Sequence, residues 1–144
     1  MYKSVLVATD GSESATRAVE VATELAAKLG AKLHVAKVYR SGSGTTLRVP
    51  EMRGAYPEGV DWGSVAVSQT EAAASKARSK GVEAVALAKS GDATDEILAL
   101  ATRHKVDLIV VGNKGMRGAK RILGSVPNAV AHKAHCAVLI VNTT

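Results

Sequence analysis

The chain predicts an α/β fold, an open parallel sheet with helices packed on both faces. Three observations carry this. Short β-branched apolar runs alternate with longer amphipathic stretches along the 144 residues, the order that demands right-handed crossovers. One run, "VDLIVVG" at 106–112, is apolar without alternation, as expected of a strand buried on both faces of a parallel sheet. The composition, 47% apolar with one Trp and no Phe, calls for an aliphatic core.

Taken in order, "SVLVA" (Ser4–Ala8) reads as the first strand and ends in the turn residues "TDGSES". Ser12 suits an N-cap, although Ala15 three residues on rules out a capping box. Ala15, Ala18, Val19, Ala22, Leu25, Ala26 and Leu29 then recur at intervals of three and four, giving an amphipathic helix over Glu13–Leu29 closed by Gly30. "KLHVAKVY" (Lys32–Tyr39) is the second strand. Residues 40–60 mix Gly, Ser, Pro and Thr with no period and form the longest loop. An alanine-rich helix is expected at 61–80, ended by Gly81, and a third strand at 82–88. A cap at Asp92 or Thr94 opens a helix running through His104. The buried run at 106–112 is the fourth strand. Gly124 and Ser125 open a last helix, whose clearest stretch is 127–133, and "CAVLIV" at 136–141 is the fifth strand. No second domain, internal repeat or low-complexity tract interrupts this order, so a single domain over 1–144 is expected.

Composition narrows the function. No apolar run approaches the roughly 18 residues that span a bilayer, and the first apolar run is too short for a secretory signal. One cysteine, Cys136, excludes an internal disulfide framework. The expectation is a cytoplasmic protein without a membrane partner. Nineteen Lys and Arg against 13 Asp and Glu give a net charge of +6, which favours anionic partners. Scarce aromatics and the lack of a recognisable nucleic-acid module argue against RNA or DNA.

The chemistry is expected beyond the carboxyl ends of the strands, where an open parallel sheet binds ligands. Two strand ends carry unusual loops, Thr9-Asp10-Gly11-Ser12 and Gly112-Asn113-Lys114-Gly115. If strands one and four are neighbours, these loops share one crevice. Glycines let the backbone approach an anion, and the start of the helix at Gly124-Ser125 offers free N–H groups and a positive dipole end. Asp10 is an acceptor on the opposite wall. The spacing is neither a P-loop nor the dinucleotide G-x-G-x-x-G. By spacing alone, an ordinary basic loop explains the stretch as well as a nucleotide site does. Lys114, Arg117, Lys120 and Arg121 read mainly as solvated charges. His132, His135 and Cys136 lack the company a metal site needs, and Met52, Tyr56 and Trp62 read as ordinary packing. Ser125 lacks a nucleophile elbow.

The segments "VATDGSESA" and "DLIVVGNKGMRGAKRILGSVPNAVAHKAHCAVLIV", with the βα order between them, resemble the universal stress proteins. The resemblance covers nearly all the chain outside residues 40–60. It implies a Rossmann-like five-stranded parallel sheet of order 3-2-1-4-5 and the nucleotide-binding G-x2-G-x9-G-[ST] motif. The implied ligand is ATP, or AMP or cyclic AMP, with magnesium assisted by Asp10. Site residues implied position by position are Ala8, Thr9 and Asp10, Val38 through its backbone, Val111, Gly112, Asn113 and Gly115, then Gly124, Ser125 and Val126. The resemblance further implies a homodimer paired through the last strand and a regulatory role without catalytic residues. A slow ATPase and a structural dimer without a nucleotide are the alternatives. One departure stands out: eight residues, not nine, separate Gly115 from Gly124, so the loop must re-register or Gly124-Ser125 is displaced.

Overall fold

The computed structural model describes residues 1–40, 61–113 and 123–143. They form β1 (Ser4–Ala8), α1 (Glu13–Leu29), β2 (Lys32–Tyr39), α2 (Trp62–Arg78), β3 (Ala84–Ser90), α3 (Ala93–Arg103), β4 (Leu108–Gly112), α4 (Ser125–Lys133) and β5 (Ala137–Val141). All strand pairs are parallel, in the order β3-β2-β1-β4-β5. Strands β1 and β4 are therefore neighbours, with Val5 opposite Leu108 and Val7 opposite Val110.

Alternation along the central strands divides the core in two. Val5, Val7, Leu33, Val35 and Val110 face α1 and α2, where Ala18, Ala22, Ala26, Ala74 and Ala77 complete one cluster. Leu6, Ala36, Ile109 and Val111 face the other side, against Ile97, Leu100 and Ala101 of α3 and Val130 of α4. The alanines let helix backbones approach the sheet closely, so small side chains build a close-packed core without Phe.

Strands β1 and β2 and helix α1 have the expected bounds, whereas three strand starts move inward. The chain enters β3 at Ala84 rather than 82, β4 at Leu108 rather than 106, and β5 at Ala137 rather than 136. At the first two the reason is a helix closure. The Val82 N–H donates to the Ala77 carbonyl at 3.2 Å and the Val106 N–H to the Ala101 carbonyl at 2.8 Å. Ala31 closes α1 on Ala26 in the same way at 3.0 Å. Each closure follows a left-handed residue, Gly30, Gly81 or Lys105, the last with φ 52°. Val82 and Val106 are thus buried apolar residues that finish helices rather than join the sheet. Helix α2 ends at Arg78 and α3 at Arg103, short of positions 80 and 104. Asp92, not Thr94, caps α3, its carboxylate accepting the Asp95 N–H at 3.0 Å. Cys136 lies just outside β5 and is half-buried, and burial, then the charge of Asp107, pushes its thiol pKa up.

The amino end of the sheet is tied shut. Asp107 accepts the Lys3 N–H at 2.9 Å and the Ser4 N–H at 3.0 Å. Desolvation opposes ionisation there, but these amides hold the carboxyl below its ordinary range. Nearby, His34 is buried with Nδ1 3.2 Å from the Val5 carbonyl oxygen and its ring 4.9 Å from that of His104. Burial pushes its pKa down, the Val5 bond opposes this, and His104 adds to the lowering. On the other margin, β5 leaves Leu139 and Ile140 exposed.

Candidate functional site

The carboxyl end of the sheet opens into a crevice of about 290 Å³ between the starts of α1, α3 and α4. Its first wall is the turn after β1. The Thr9 N–H extends the ladder to the Ala36 carbonyl at 2.9 Å. The chain then doubles back: Thr9 Oγ1 accepts the Gly11 N–H at 3.1 Å, and Asp10 Oδ1 accepts the Ser12 N–H at 2.8 Å. Gly11 supplies the φ of +82° this reversal needs. Ser12 caps α1 as expected, its hydroxyl oxygen accepting the Ala15 N–H at 3.1 Å. The Gly11 and Ser12 amides are thus satisfied within the turn. Among the described residues no group donates to the second carboxylate oxygen of Asp10, which lines the crevice.

The opposite wall is the end of β4 and the start of α4. Gly124 is the N-cap of α4, with φ −58° and ψ 159°, and makes no side-chain cap bond. Its N–H donates to the Asn113 carbonyl at 3.1 Å, and its carbonyl accepts the Asn128 N–H at 3.0 Å. Pro127 has no N–H, so the first turn presents the Ser125 and Val126 amides, with the Ser125 hydroxyl beside them. No described residue accepts from those two amides. A helix start with no acceptor among the described residues suits an anion, because its first N–H groups and the macrodipole act at the same point.

Ala8, Thr9, Asp10, Val38, Val111, Gly112, Ser125 and Val126 all line this one crevice. Val38, Val111, Val126 and Ile97 make its apolar side. Gly124 stands behind Ser125 as the cap. The bond from Gly124 to Asn113 holds Gly124-Ser125 at the end of β4. Gly115, the cations Lys114, Arg117, Lys120 and Arg121, and the side chains of Met52 and Tyr56 lie outside the described residues. Trp62 opens α2, away from the crevice lining.

The Asn113 side chain is engaged by the tail after β5. Its Oδ1 accepts the Thr143 N–H at 3.0 Å and the Thr143 hydroxyl at 2.8 Å, and its Nδ2 donates to Asn142 at 3.3 Å. With the Gly124 bond, this side chain clasps the tail after β5 to the neck of β4. Gly112 belongs to the same joint, because a Cβ there would lie 3.2 Å from Thr143 Cγ2. Residues missed by sequence reasoning come from helix starts, Ser14 and Ala15 of α1 and Ala93 and Ile97 of α3, together with Pro127. The cap signals at Ser12 and Asp92 were the available clue, since caps mark the helix starts that a parallel sheet gathers at its carboxyl end. Among the described residues no three His, Cys, Asp or Glu side chains stand close enough together to hold a metal ion.

Comparison with known proteins agrees with this architecture. A family model described as the universal stress protein family matches residues 1–142. The chain is 35% identical over 147 residues to universal stress protein YxiE of Bacillus subtilis, covering 98% of this chain and 99% of that one. It is 35% identical over 146 residues to universal stress protein Rv1636 of Mycobacterium tuberculosis, covering 99% and 98%. A solved universal stress protein in complex with cAMP superposes with a TM-score of 0.72 at 34% identity over 99% of this chain and 98% of that one. One from Archaeoglobus fulgidus, at 24% identity, shares the fold with a TM-score of 0.77 over 99% and 100%. On the match over 1–142 and these full-length relatives, the chain belongs to the universal stress protein family.

Proposed function

We propose that this single-domain protein binds an adenine nucleotide in the crevice and acts as a cytoplasmic regulatory module rather than an enzyme. The observation that carries the reading is the uncapped start of α4 facing Asp10 across one cleft. Asp10 receives a ribose hydroxyl or the adenine amine, Ala8 lines the base pocket, and the Val38 backbone meets the base. The Ser125 and Val126 amides and the Ser125 hydroxyl take a phosphate, with Gly112 and Gly115 giving the ligand room. Asn113 contributes as scaffold. The ligand is ATP, and magnesium fits the donor set in so far as a phosphate-held ion needs one protein carboxylate, here Asp10.

A second ligand, cyclic AMP, is favoured by a particular observation. The described donors amount to two amides and one hydroxyl, enough for one phosphate, and the 34%-identical relative was solved with cAMP. The exposed Leu139 and Ile140 support pairing of β5 with its copy in a homodimer. Native mass spectrometry of freshly purified protein, followed by calorimetric titration with ATP, AMP and cyclic AMP, tests the reading. A co-purifying adenine nucleotide and saturable binding are expected. No binding at millimolar concentration overturns it in favour of a structural dimer, and stoichiometric phosphate release from ATP replaces it with a slow ATPase.

A further inference from the structure

The Asp10 turn forms the crevice wall on one side and is held on the other by two residues outside the crevice. Lys37 precedes Val38 on β2, so alternation sends the two to opposite faces of the sheet. Lys37 Nζ donates to the Asp10 carbonyl at 3.2 Å and also to Gln69 Oε1 of α2. The Gln69 amide in turn lies against Gly11, where an added Cβ would come within 2.8 Å of Nε2. The turn is thus gripped at two adjacent residues, by an ammonium at the Asp10 carbonyl and by an amide at the Gly11 Cα.

Among the described residues little else supports it from that side. Behind the turn is a cavity of about 320 Å³ between α1 and α2, bordered by Thr9, Gly11, Gln69 and the small Ala72 and Ala73. Among the described residues no side chain fills that space, so from this side the position of Asp10 depends on a polar relay more than on packing. The Lys37 ammonium is partly withdrawn from water, and burial lowers its pKa against the opposing pull of Asp10.

We infer that Lys37 and Gln69 are positioning residues for the Asp10 turn and make α2 a lever on the nucleotide crevice. A shift of α2 moves Gln69, Gln69 moves the Lys37 ammonium, and the ammonium carries the Asp10 carbonyl with it. The effect on ligand rests on the nucleotide reading, whereas the effect on the turn does not.

The test uses the full chain with Lys37→Met, Lys37→Arg, Gln69→Leu and the double variant Lys37→Met/Gln69→Leu. Lys32→Met, at the far end of the same strand, is the control. In ligand-free protein, the backbone amide resonances of Gly11 and Ser12 report the turn. They move in Lys37→Met and Gln69→Leu, return most of the way in Lys37→Arg, and stay put in Lys32→Met. Calorimetry with cyclic AMP and with ATP then shows affinity about tenfold weaker in Lys37→Met and about threefold weaker in Gln69→Leu. The double variant is no weaker than Lys37→Met, because both residues act through one relay. Unmoved Gly11 and Ser12 resonances, or additive losses in the double variant, overturn the inference. If wild-type protein binds neither nucleotide, the functional reading fails and the amide resonances alone decide the relay. Gln69 is exposed on α2, so Gln69→Leu keeps the test intact even if Lys37→Met folds poorly.

Discussion

Helices α1, α2 and α3 start in one way and α4 in another. Ser12, Asp61 and Asp92 each turn a side-chain oxygen back onto an amide of the first turn. Gly124, at the equivalent place, has no side chain to do so. An N-cap contributes about 1 kcal/mol to a helix, so the three capped starts serve stability. The fourth forgoes that contribution and leaves its donors facing a cleft. The contrast teaches where an external acceptor is expected, and it does so without reference to any glycine motif.

The largest test of the contrast abolishes it. Gly124→Asp supplies the missing cap at a backbone conformation any residue adopts, and fills the proposed anion site with a carboxylate. Losing charge-assisted bonds of about 1.5–3 kcal/mol each, nucleotide affinity falls about a hundredfold by calorimetry. Urea denaturation shows stability unchanged or higher by a few tenths of a kcal/mol. Lost affinity with lost stability would mean that Gly124 is needed for packing and not for an open helix end.

The converse change is Asp92→Ala, which removes a cap from α3. Stability drops by about 1 kcal/mol in urea, and a drop near zero would show that the capped starts are not the stabilising ones. The closed end of the sheet offers a third, pH-dependent test. Because the folded state lowers the pKa of His34 from 6.5, the unfolded chain takes up the proton more readily. The contribution is complete above about 6.5 and is lost as the pH falls from there through the lower folded value. His34→Gln, which cannot charge, flattens that part of the urea-midpoint profile, and an unchanged slope would assign it to other groups. The smallest effect is at the helix closures. Lys105→Gly relieves a left-handed side chain and raises the urea midpoint by the equivalent of about 0.5 kcal/mol, bringing the end of α3 into line with Gly30 and Gly81.

Much of this was readable from residue order, and the failures share a cause. The turn residues after β1, the cap at Ser12 and the glycine ending α1 are local signals, and that region was placed to the residue. Val82 and Val106 misled because apolarity does not distinguish a strand from the residue that seals a helix against the core. Most of the crevice was legible once β1 and β4 were taken as neighbours. Ile97 and Ala93 were not, since only the assembled sheet brings the start of α3 to the cleft. The partner of Asn113 was not legible either, because nothing near it in sequence announces that Thr143, thirty residues on, will bond its side chain.

The bond from the Gly124 amide to the Asn113 carbonyl has an evolutionary consequence. It ties together the two ends of the stretch between them, so the length of that stretch is uncoupled from the geometry at its neck. Closing a loop one residue shorter changes the closure entropy by only about 0.1 kcal/mol. Insertions and deletions there are therefore cheap for the chain to try. Lineages can vary the length and residues between these two positions while inheriting the helix start unchanged.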